Sequence, residues 1–273
     1  MWTDATREKY EREAHRYASD LSDTEWCVIE PHMPPARALG RPRKTDMREV
    51  MTAILYMARS GCQWRMLPGE FPPRSSVQYY FYKWRDDGTW QEVNRALLAR
   101  TREAEGRAAA ATAGVIDSQS VKTTESGGPR GFDAGKKVMG RKRHIVVDTG
   151  GRLLGAVVHE ADIQDRDGAP SLLAEVGAWF PGVGHIFADG AYAGPKLAGA
   201  LKKIGDWALE IVRRNDKADG FVALPRRWVV ERTFAWFGRS RRLAKDFKAT
   251  VESALAWLLI ASIQVFIRRL ARL

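Results

Sequence analysis

The chain has 273 residues, with 44 Lys and Arg against 33 Asp and Glu, so its formal net charge is +11. Hydrophobic residues make up 45% and charged residues 28%, which excludes a globally disordered or fibrous chain and allows a sizeable core. The excess positive charge favours a polyanionic partner. The two cysteines, Cys27 and Cys62, form no metal-binding or redox motif, so a disulfide framework is excluded and a zinc site is disfavoured.

The sequence predicts no membrane-spanning segment. Residues 1–20 form a charged leader that lacks the apolar run of a secretory signal. Residues 255–267 are apolar but are interrupted by Ser262 and Gln264, and the run is too short to span a bilayer. We therefore expect a buried helix there, and a cytoplasmic protein with no membrane partner.

Residues 21–105 predict a small all-helical unit. Ser22 followed three positions later by Glu25 is a capping-box pattern that opens a short helix. Three further helices are predicted over 45–60, 77–86 and 90–105, with Thr45 or Asp46 capping the first of these and Ser75 or Ser76 the second.

After a linker-like segment, residues 106–114, the pattern changes to short strands separated by helices. Gly150 and Gly151 give a hairpin signal between two of the strands. Strands are predicted over 115–116, 144–148, 153–159, 185–188 and 207–212, and helices over 169–179 (capped by Asp167), 195–204, 227–245 and from about 252. This order is that of an α/β, ribonuclease H-like domain, a mixed sheet flanked by helices. The predicted organisation is a leader (1–20), a helical domain with a helix-turn-helix-like character (21–105), a linker (106–114) and a ribonuclease H-like domain with C-terminal helices (115–273).

Two acidic residues follow apolar strands in this second half. Asp117 ends the first predicted strand and Asp189 ends the fourth, and these strands are neighbours in such a sheet. Two carboxylates side by side repel each other unless a cation lies between them, and oxygen ligands favour Mg²⁺ or Mn²⁺. The alternative is that both residues only cap strand ends.

Glu231 is the third candidate. Val230, Phe234 and Phe237 form an apolar stripe that is expected to pack on the sheet, while Glu231 lies off that stripe. The alternative is a structural ion pair between Arg227 and Glu231, four residues apart on one helix.

Several long motifs resemble an IS5-type insertion-sequence transposase of the wider IS4/IS5 group. They are IDSQSVKT (116–123), GFDAGKKVMGRKRHIVVDTGG (131–151), ADIQDRDG (161–168), ADGAY (188–192) and WVVERTFAW (228–236), preceded by GCQWRMLP (61–68) in the helical part. The resemblance covers about residues 20–270. By this resemblance Asp117, Asp189 and Glu231 align with the catalytic and metal-binding DDE triad of the family.

The resemblance implies a DNA transposase that binds terminal inverted repeats and catalyses metal-dependent cleavage and strand transfer. It implies two Mg²⁺ ions, for which Mn²⁺ can substitute. The implied partners are double-stranded DNA, both terminal repeats and target, and a second copy of the chain in a homodimer or larger synaptic complex. One departure concerns a Tyr-Arg-Glu-Lys signature around the third acid, where Leu224 and Gly238 stand for the Tyr and the Lys. The candidates to supply the missing charge are Arg239, Arg242 and Lys245.

The remaining acids of the catalytic half are expected to have structural roles. They are Asp133, Asp148, Asp162, Asp165 and Asp167.

Basic residues predict how DNA is held. A Gly-rich loop before the second strand, and the helix that carries Glu231, are expected to follow a phosphate backbone, although a solvated charge run is the alternative. These residues are Lys136, Lys137, Arg141, Lys142 and Arg143 in the loop, and Arg227, Arg232 and Arg239 on the helix.

In the helical unit, residues 77–86 resemble a helix-turn-helix recognition helix. The alternative is that Tyr80, Phe81 and Trp84 pack in the core and only the other residues are exposed. The expected DNA contacts are Tyr79, Lys83 and Arg85 on this helix, and Arg41 and Arg43 in a short arm that resembles a minor-groove contact.

Two other functions remain open from the sequence. One is a catalytically inactive, domesticated copy that only binds DNA. The other is a nuclease with a ribonuclease H fold, such as a junction resolvase. The intact triad favours an active enzyme over the first, and the helical N-terminal unit disfavours the second.

Overall fold

The computed structural model describes residues 3–4, 16–36, 42–125, 127–205, 207–212 and 225–273, with the backbone alone at residues 204, 225 and 226. Its helices are α1 (Asp23–Ile29), α2 (Met47–Ser60), α3 (Arg74–Asp86), α4 (Thr89–Ala104), α5 (Asp165–Trp179), α6 (Pro195–Ile204), α7 (Pro225–Gly238) and α8 (Val251–Leu270). Its strands are β1 (Ala113–Lys122), β2 (Gly131–Asp133), β3 (Val138–Asp148), β4 (Leu153–Glu160), β5 (His185–Ala188) and β6 (Ala208–Ile211).

Local capping explains where the first helices begin. The Ser22 side chain accepts a hydrogen bond from the Glu25 amide, and the Glu25 carboxylate accepts one from the Ser22 amide, so the predicted capping box is confirmed. Asp46 caps α2 through the amides of Arg48 and Glu49. Helix α3 instead begins at Arg74 after Pro73 without a side-chain cap, so the serine cap predicted there was wrong.

The strands form one mixed, ribonuclease H-like sheet. β1 pairs antiparallel with β3, and β2 and β4 pair antiparallel with the opposite side of β3. β1, β5 and β6 run parallel to one another, so crossover helices connect them. The α/β class and the strand order predicted from the sequence are confirmed.

Several boundaries differ from the prediction. β1 continues to Lys122 and β3 begins at Val138, because the two strands pair over nine residues rather than only at their apolar ends. The short strand β2 was missed. α7 ends at Gly238 instead of near residue 245, and α5 is preceded by Gln164 instead of being capped by Asp167.

One hydrophobic core runs through the helical part and the sheet. α8 lies at its centre, with Trp257, Leu258 and Ile263 at 1% exposure or less. This helix is long and apolar enough to span a membrane, but 72% of its most apolar window is buried in the protein. We interpret it as a core helix, as the interrupted apolar run predicts.

Charged contacts join the end of α4 to the turn between β3 and β4. Asp148 is fully buried and accepts hydrogen bonds from Arg102 and Arg107, as well as from the amides of Gly150 and Arg152. Removing one partner of such a buried pair leaves an uncompensated charge, which costs several kcal/mol (about 3–5). The helical part is therefore held against the sheet by a specific buried interaction as well as by apolar packing.

We predict that Gly140→Ala destabilises the fold by about 2–3 kcal/mol, because an added Cβ would overlap the Val121 carbonyl of the paired strand. Gly199→Ala on α6 is the matched control, since its Cβ would meet no atom within 4 Å. Alanine there should raise stability by up to about 1 kcal/mol through its helix propensity. Urea unfolding of the three proteins measures both effects, and equal destabilisation at the two positions would contradict the tight β1–β3 approach.

Candidate active site

Asp117 and Asp189 lie at the same edge of the sheet. Val115 on β1 is paired in register with Phe187 on β5, and each acidic residue comes two positions further along its strand direction. Neighbouring strands are about 4.8 Å apart, so the two backbones carry their carboxylates side by side. Parallel pairing in this register is the reason that two residues so distant in sequence meet.

The Asp117 carboxyl is mostly withdrawn from water. Burial, and to a smaller extent the neighbouring Asp189 charge, raise its pKa to about 6, although a hydrogen bond from the Ser118 amide and the charges of Lys136 and Arg227 act in the opposite direction. Asp189 accepts a hydrogen bond from the Ala191 amide at 2.8 Å. The pair therefore holds negative charge that the surrounding side chains compensate only in part.

Arg227 links the third acid to this pair. Its Nη2 lies 3.7 Å from Asp189 Oδ2 and 3.6 Å from Glu231 Oε1. The ion pair that the sequence offered as an alternative to a catalytic Glu231 therefore exists, but the same guanidinium also contacts Asp189. One cation thus stands between two of the three predicted acids.

α7 presents Glu231 to solvent because its apolar stripe packs on the sheet. Val230, Phe234 and Phe237 are buried, as predicted, and the Glu231 side chain is 48% exposed. Thr233 is buried on the same helix, and its hydroxyl lies 3.0 Å from the Gly151 carbonyl oxygen in the β3–β4 turn. Apolar packing on the sheet and this hydrogen bond to the turn together fix the position of α7.

A polar layer that the sequence analysis missed lies on the opposite face of the sheet from α7. Asp165, the first residue of α5, accepts hydrogen bonds from Ser118 Oγ at 2.8 Å and pairs with Lys142 Nζ at 2.9 Å. The buried ring of His144 and the half-buried ring of His159 pack beside it at a tilt, with centroids 4.8 Å apart. The alternation of polar residues along β1 and β3, with Ser118 paired to His144, was the available signal. This layer supports the residue that follows Asp117.

A divalent cation fits the donor chemistry of the site, since carboxylate oxygens are its preferred ligands. In the described parts of the chain, however, no three His, Cys, Asp or Glu side chains are grouped closely enough to hold a metal ion. Arg227 occupies the space between Asp189 and Glu231 instead.

Comparison with known proteins identifies the family. A family profile described as "Transposase DDE domain" matches residues 109–266, and one described as "Putative transposase of IS4/5 family" matches residues 21–94. The chain belongs to the DDE transposase family. It is of the IS4/5 type, as the sequence motifs predict, and members of this family act on DNA and depend on divalent cations.

Three curated relatives cover parts of the chain. The 16.2 kDa protein of insertion element IS402 from Burkholderia cepacia is 31% identical over 39% of this chain and 76% of its own length. The "Putative transposase for insertion sequence element IS402" from the same species is 31% identical over 40% of this chain and 54% of its own length. Protein y4sN of Sinorhizobium fredii is 34% identical over 31% of this chain and 67% of its own length. No solved structure matches the chain.

Some of the residues that the sequence predicts to bind DNA are exposed on the surface of this transposase. Lys136 and Lys137 lie in the turn before β3, and Arg239 follows α7. Arg43, Tyr79 and Lys83 line a groove of about 180 Å³ on the helical part, which also contains Tyr80 and Trp84. Phe81 and Trp84 are buried, so α3 packs in the core through one face and exposes the other.

Three of the predicted loop residues are not on the surface. Arg141, Lys142 and Arg143 lie inside β3 and are 0%, 5% and 1% exposed. The loop prediction was wrong because β3 begins at Val138, six residues earlier than expected, and has strands on both sides. Arg141 is bound by the carbonyls of Pro129 and Lys248, and Lys142 by Asp165, so these two do not form a DNA-binding track.

Other predicted contacts are engaged within the protein. Arg85 donates to Ser253 Oγ on α8 at 2.8 Å, and Arg232 donates to the Gly150 carbonyl at 3.0 Å. Both guanidinium groups therefore hold parts of this transposase fold together. Arg41 and Leu224 lie outside the described residues.

We predict that the stability of this transposase fold decreases as the pH falls below about 6.5. Burial lowers the pKa of His144 to about 3, and burial also lowers that of His159. In the unfolded chain these rings bind protons near pH 6.5, so acid favours unfolding by at most about 1.4 kcal/mol per pH unit for each ring.

Urea unfolding between pH 7.5 and pH 5 measures this loss. His144→Gln should flatten the pH dependence, because it removes the buried ring. Parallel pH curves for the wild type and His144→Gln would contradict the assignment.

Proposed function

We propose that the chain cleaves and joins DNA strands at the terminal inverted repeats of an IS4/5-type insertion sequence, with Asp117, Asp189 and Glu231 as catalytic residues. The observation that supports this most directly is the register between β1 and β5, which carries two acidic residues to one edge of the sheet. The contact of Arg227 with both Asp189 and Glu231 adds the third acid to the same region.

The same three carboxylates would hold Mg²⁺, or Mn²⁺ in its place, and we propose two ions. When bound, such ions would polarise the attacking and leaving oxygens of the phosphodiester. Burial and the neighbouring Asp189 leave the Asp117 charge costly in the metal-free protein, which favours binding of a cation there. Because Arg227 lies between Asp189 and Glu231, we expect its guanidinium to shift toward a DNA phosphate when the acids take up metal.

The protein's own residues would orient the substrate. The Ser118 amide holds one Asp117 oxygen at 2.7 Å and the Ala191 amide holds one Asp189 oxygen, so both carboxylates are fixed in direction. Lys136 is exposed near Asp117, with its Nζ 3.2 Å from the Ser118 carbonyl oxygen. Its ammonium group could therefore bind a backbone phosphate of a DNA strand that enters the site.

We propose that the helical part binds the repeat sequence through the groove that contains Arg43, Tyr79 and Lys83. An exposed aromatic ring beside two cations is suited to a sugar-phosphate backbone and to base edges. Joining two ends of an element requires two active sites, so we also propose a homodimer or a larger synaptic complex. Target DNA would bind to the same assembly.

We predict that Asp117→Asn, Asp189→Asn and Glu231→Gln each reduce strand cleavage by at least about a thousandfold, since each removes a ligand charge from the reacting centre. DNA affinity should change by less than about threefold, because backbone binding depends on the basic residues. The measurement is Mg²⁺-dependent nicking of a plasmid that carries the DNA flanking the gene, with binding measured separately.

Asp167→Asn is the matched control, since Asp167 is exposed and pairs with Lys196. It should cleave like the wild type. If the wild type binds the flanking DNA tightly but cuts neither it nor a paired-end substrate with Mg²⁺ or Mn²⁺, the chain is a DNA-binding protein without transposase activity. Cutting of branched DNA without regard to the flanks would indicate a nuclease instead.

We also predict that Mn²⁺ or Mg²⁺ at millimolar concentration raises the melting temperature of the wild-type protein. A ligand that binds only the folded state stabilises it by about 2.7 kcal/mol at a hundred times its Kd. The shift should be lost in Asp117→Asn and retained in Asp167→Asn, as measured by thermal unfolding without DNA. Equal shifts in all three proteins would place the metal elsewhere.

A further inference from the structure

A cavity separate from the groove on the helical part lies on the α7 side of the sheet. It has a volume of about 180 Å³ and is formed between the second half of β1, the end of α7 and the segment that follows α7. Its lining residues include Gln119, Lys122, Arg143, Gly238 and Leu243. Gln119, Lys122 and Gly238 are exposed, so the cavity opens to solvent.

Arg143 is the buried polar group of this cavity. Its Nη1 donates to the Leu243 carbonyl at 2.8 Å, and the residue is only 1% exposed. Its Nε and Nη2 atoms have no hydrogen-bond partner within the parts of the chain that are described. A buried donor without an acceptor costs about 1–3 kcal/mol, more when it is charged, so the site is suited to an acceptor from outside the fold.

The charge around Arg143 is also unbalanced. Among the described residues, Asp246 is the carboxylate whose charge acts on it, and this group already lies 3.3 Å from Arg141 and 3.7 Å from Lys248. Burial lowers the pKa of Arg143 to about 10, so the guanidinium stays protonated at neutral pH. An excess of buried positive charge beside an open cavity is complementary to an anion.

The sheet register places this cavity next to Asp117. Arg143 is paired with Gln119, and Gln119 is two residues beyond Asp117, so all three side chains leave the same face of the sheet. Diagonal neighbours of this kind are about 7–8 Å apart. That separation allows one backbone phosphate at Asp117 and another at Arg143 within a single DNA strand.

We propose that this cavity binds a phosphate group of the DNA backbone beside the scissile one, with Arg143 as its principal ligand and Lys122 at its rim. The proposal rests on the proposed DNA-cleaving function for its substrate. Gly238 leaves open space at the mouth of the cavity, with nothing within 4 Å of an added Cβ.

The test measures binding of a labelled duplex from the DNA flanking the gene at several salt concentrations. Arg143→Gln removes the guanidinium, and Gly238→Leu fills the mouth of the cavity from a position where a side chain meets no atom. Each should weaken binding about tenfold, and each should lower the slope of log Kd against log salt by about 0.9, the value for one phosphate contact. Gly199→Leu, at an equally open position on α6, should change neither.

An unchanged salt slope in Gly238→Leu would overturn the proposal even if Arg143→Gln fails to fold. Inorganic phosphate separates the two sources of the ligand. If phosphate raises the melting temperature of the wild type and not of Gly238→Leu, while DNA binding by the two is identical, the cavity takes free phosphate and the assignment to DNA is wrong.

The same variants separate this proposal from the proposed function. Flank-specific cleavage by the wild type together with unaltered binding by Gly238→Leu would leave the catalytic function intact and remove the phosphate site. A reduced salt slope in Gly238→Leu with no cleavage by the wild type would retain the phosphate site and remove the catalytic function.

Discussion

Two acidic side chains leave one edge of the sheet together because β1 and β5 run parallel with Val115 opposite Phe187. The rest of the candidate site is built around that pairing. β3 pairs with the other side of β1, and α7 packs against β1 and β3 and carries Glu231. A shift of one residue in the β1–β5 register would turn one carboxylate to the opposite face of the sheet, because side chains alternate along a strand.

The proximity of these carboxylates has an electrostatic cost that the fold only partly offsets. Arg227 contacts Asp189 and Glu231, and Lys136 lies near Asp117. Sites that hold like charges close together in a desolvated place are typical of metal-dependent chemistry, because the bound cation supplies the compensation. The converse applies at Arg143, a diagonal neighbour of Asp117 on the sheet. The buried positive charge there is balanced only in part, which favours binding of an anion.

The helical part is mechanically connected to the site. Arg102 and Arg107 hold Asp148, whose strand leads into the turn that contains Gly150 and Gly151. That turn accepts hydrogen bonds from α7, the helix of Glu231. A displacement of the helical part would therefore reach Glu231 through a short chain of polar contacts.

The sequence by itself determined the helix caps at Ser22 and Asp46, the α/β class, the family and the three acidic candidates, because these depend on local patterns and on motifs. Only the tertiary structure decided that Arg141 and Arg143 are buried, that Asp165 and His144 form a polar layer beneath the site, and that Arg227 joins two of the acids. Local composition made residues 136–143 look like a basic loop. Arg141 and Arg143 are buried because β3 pairs with strands on both sides. The face that a strand residue occupies is set by partners distant in sequence, which local composition does not reveal.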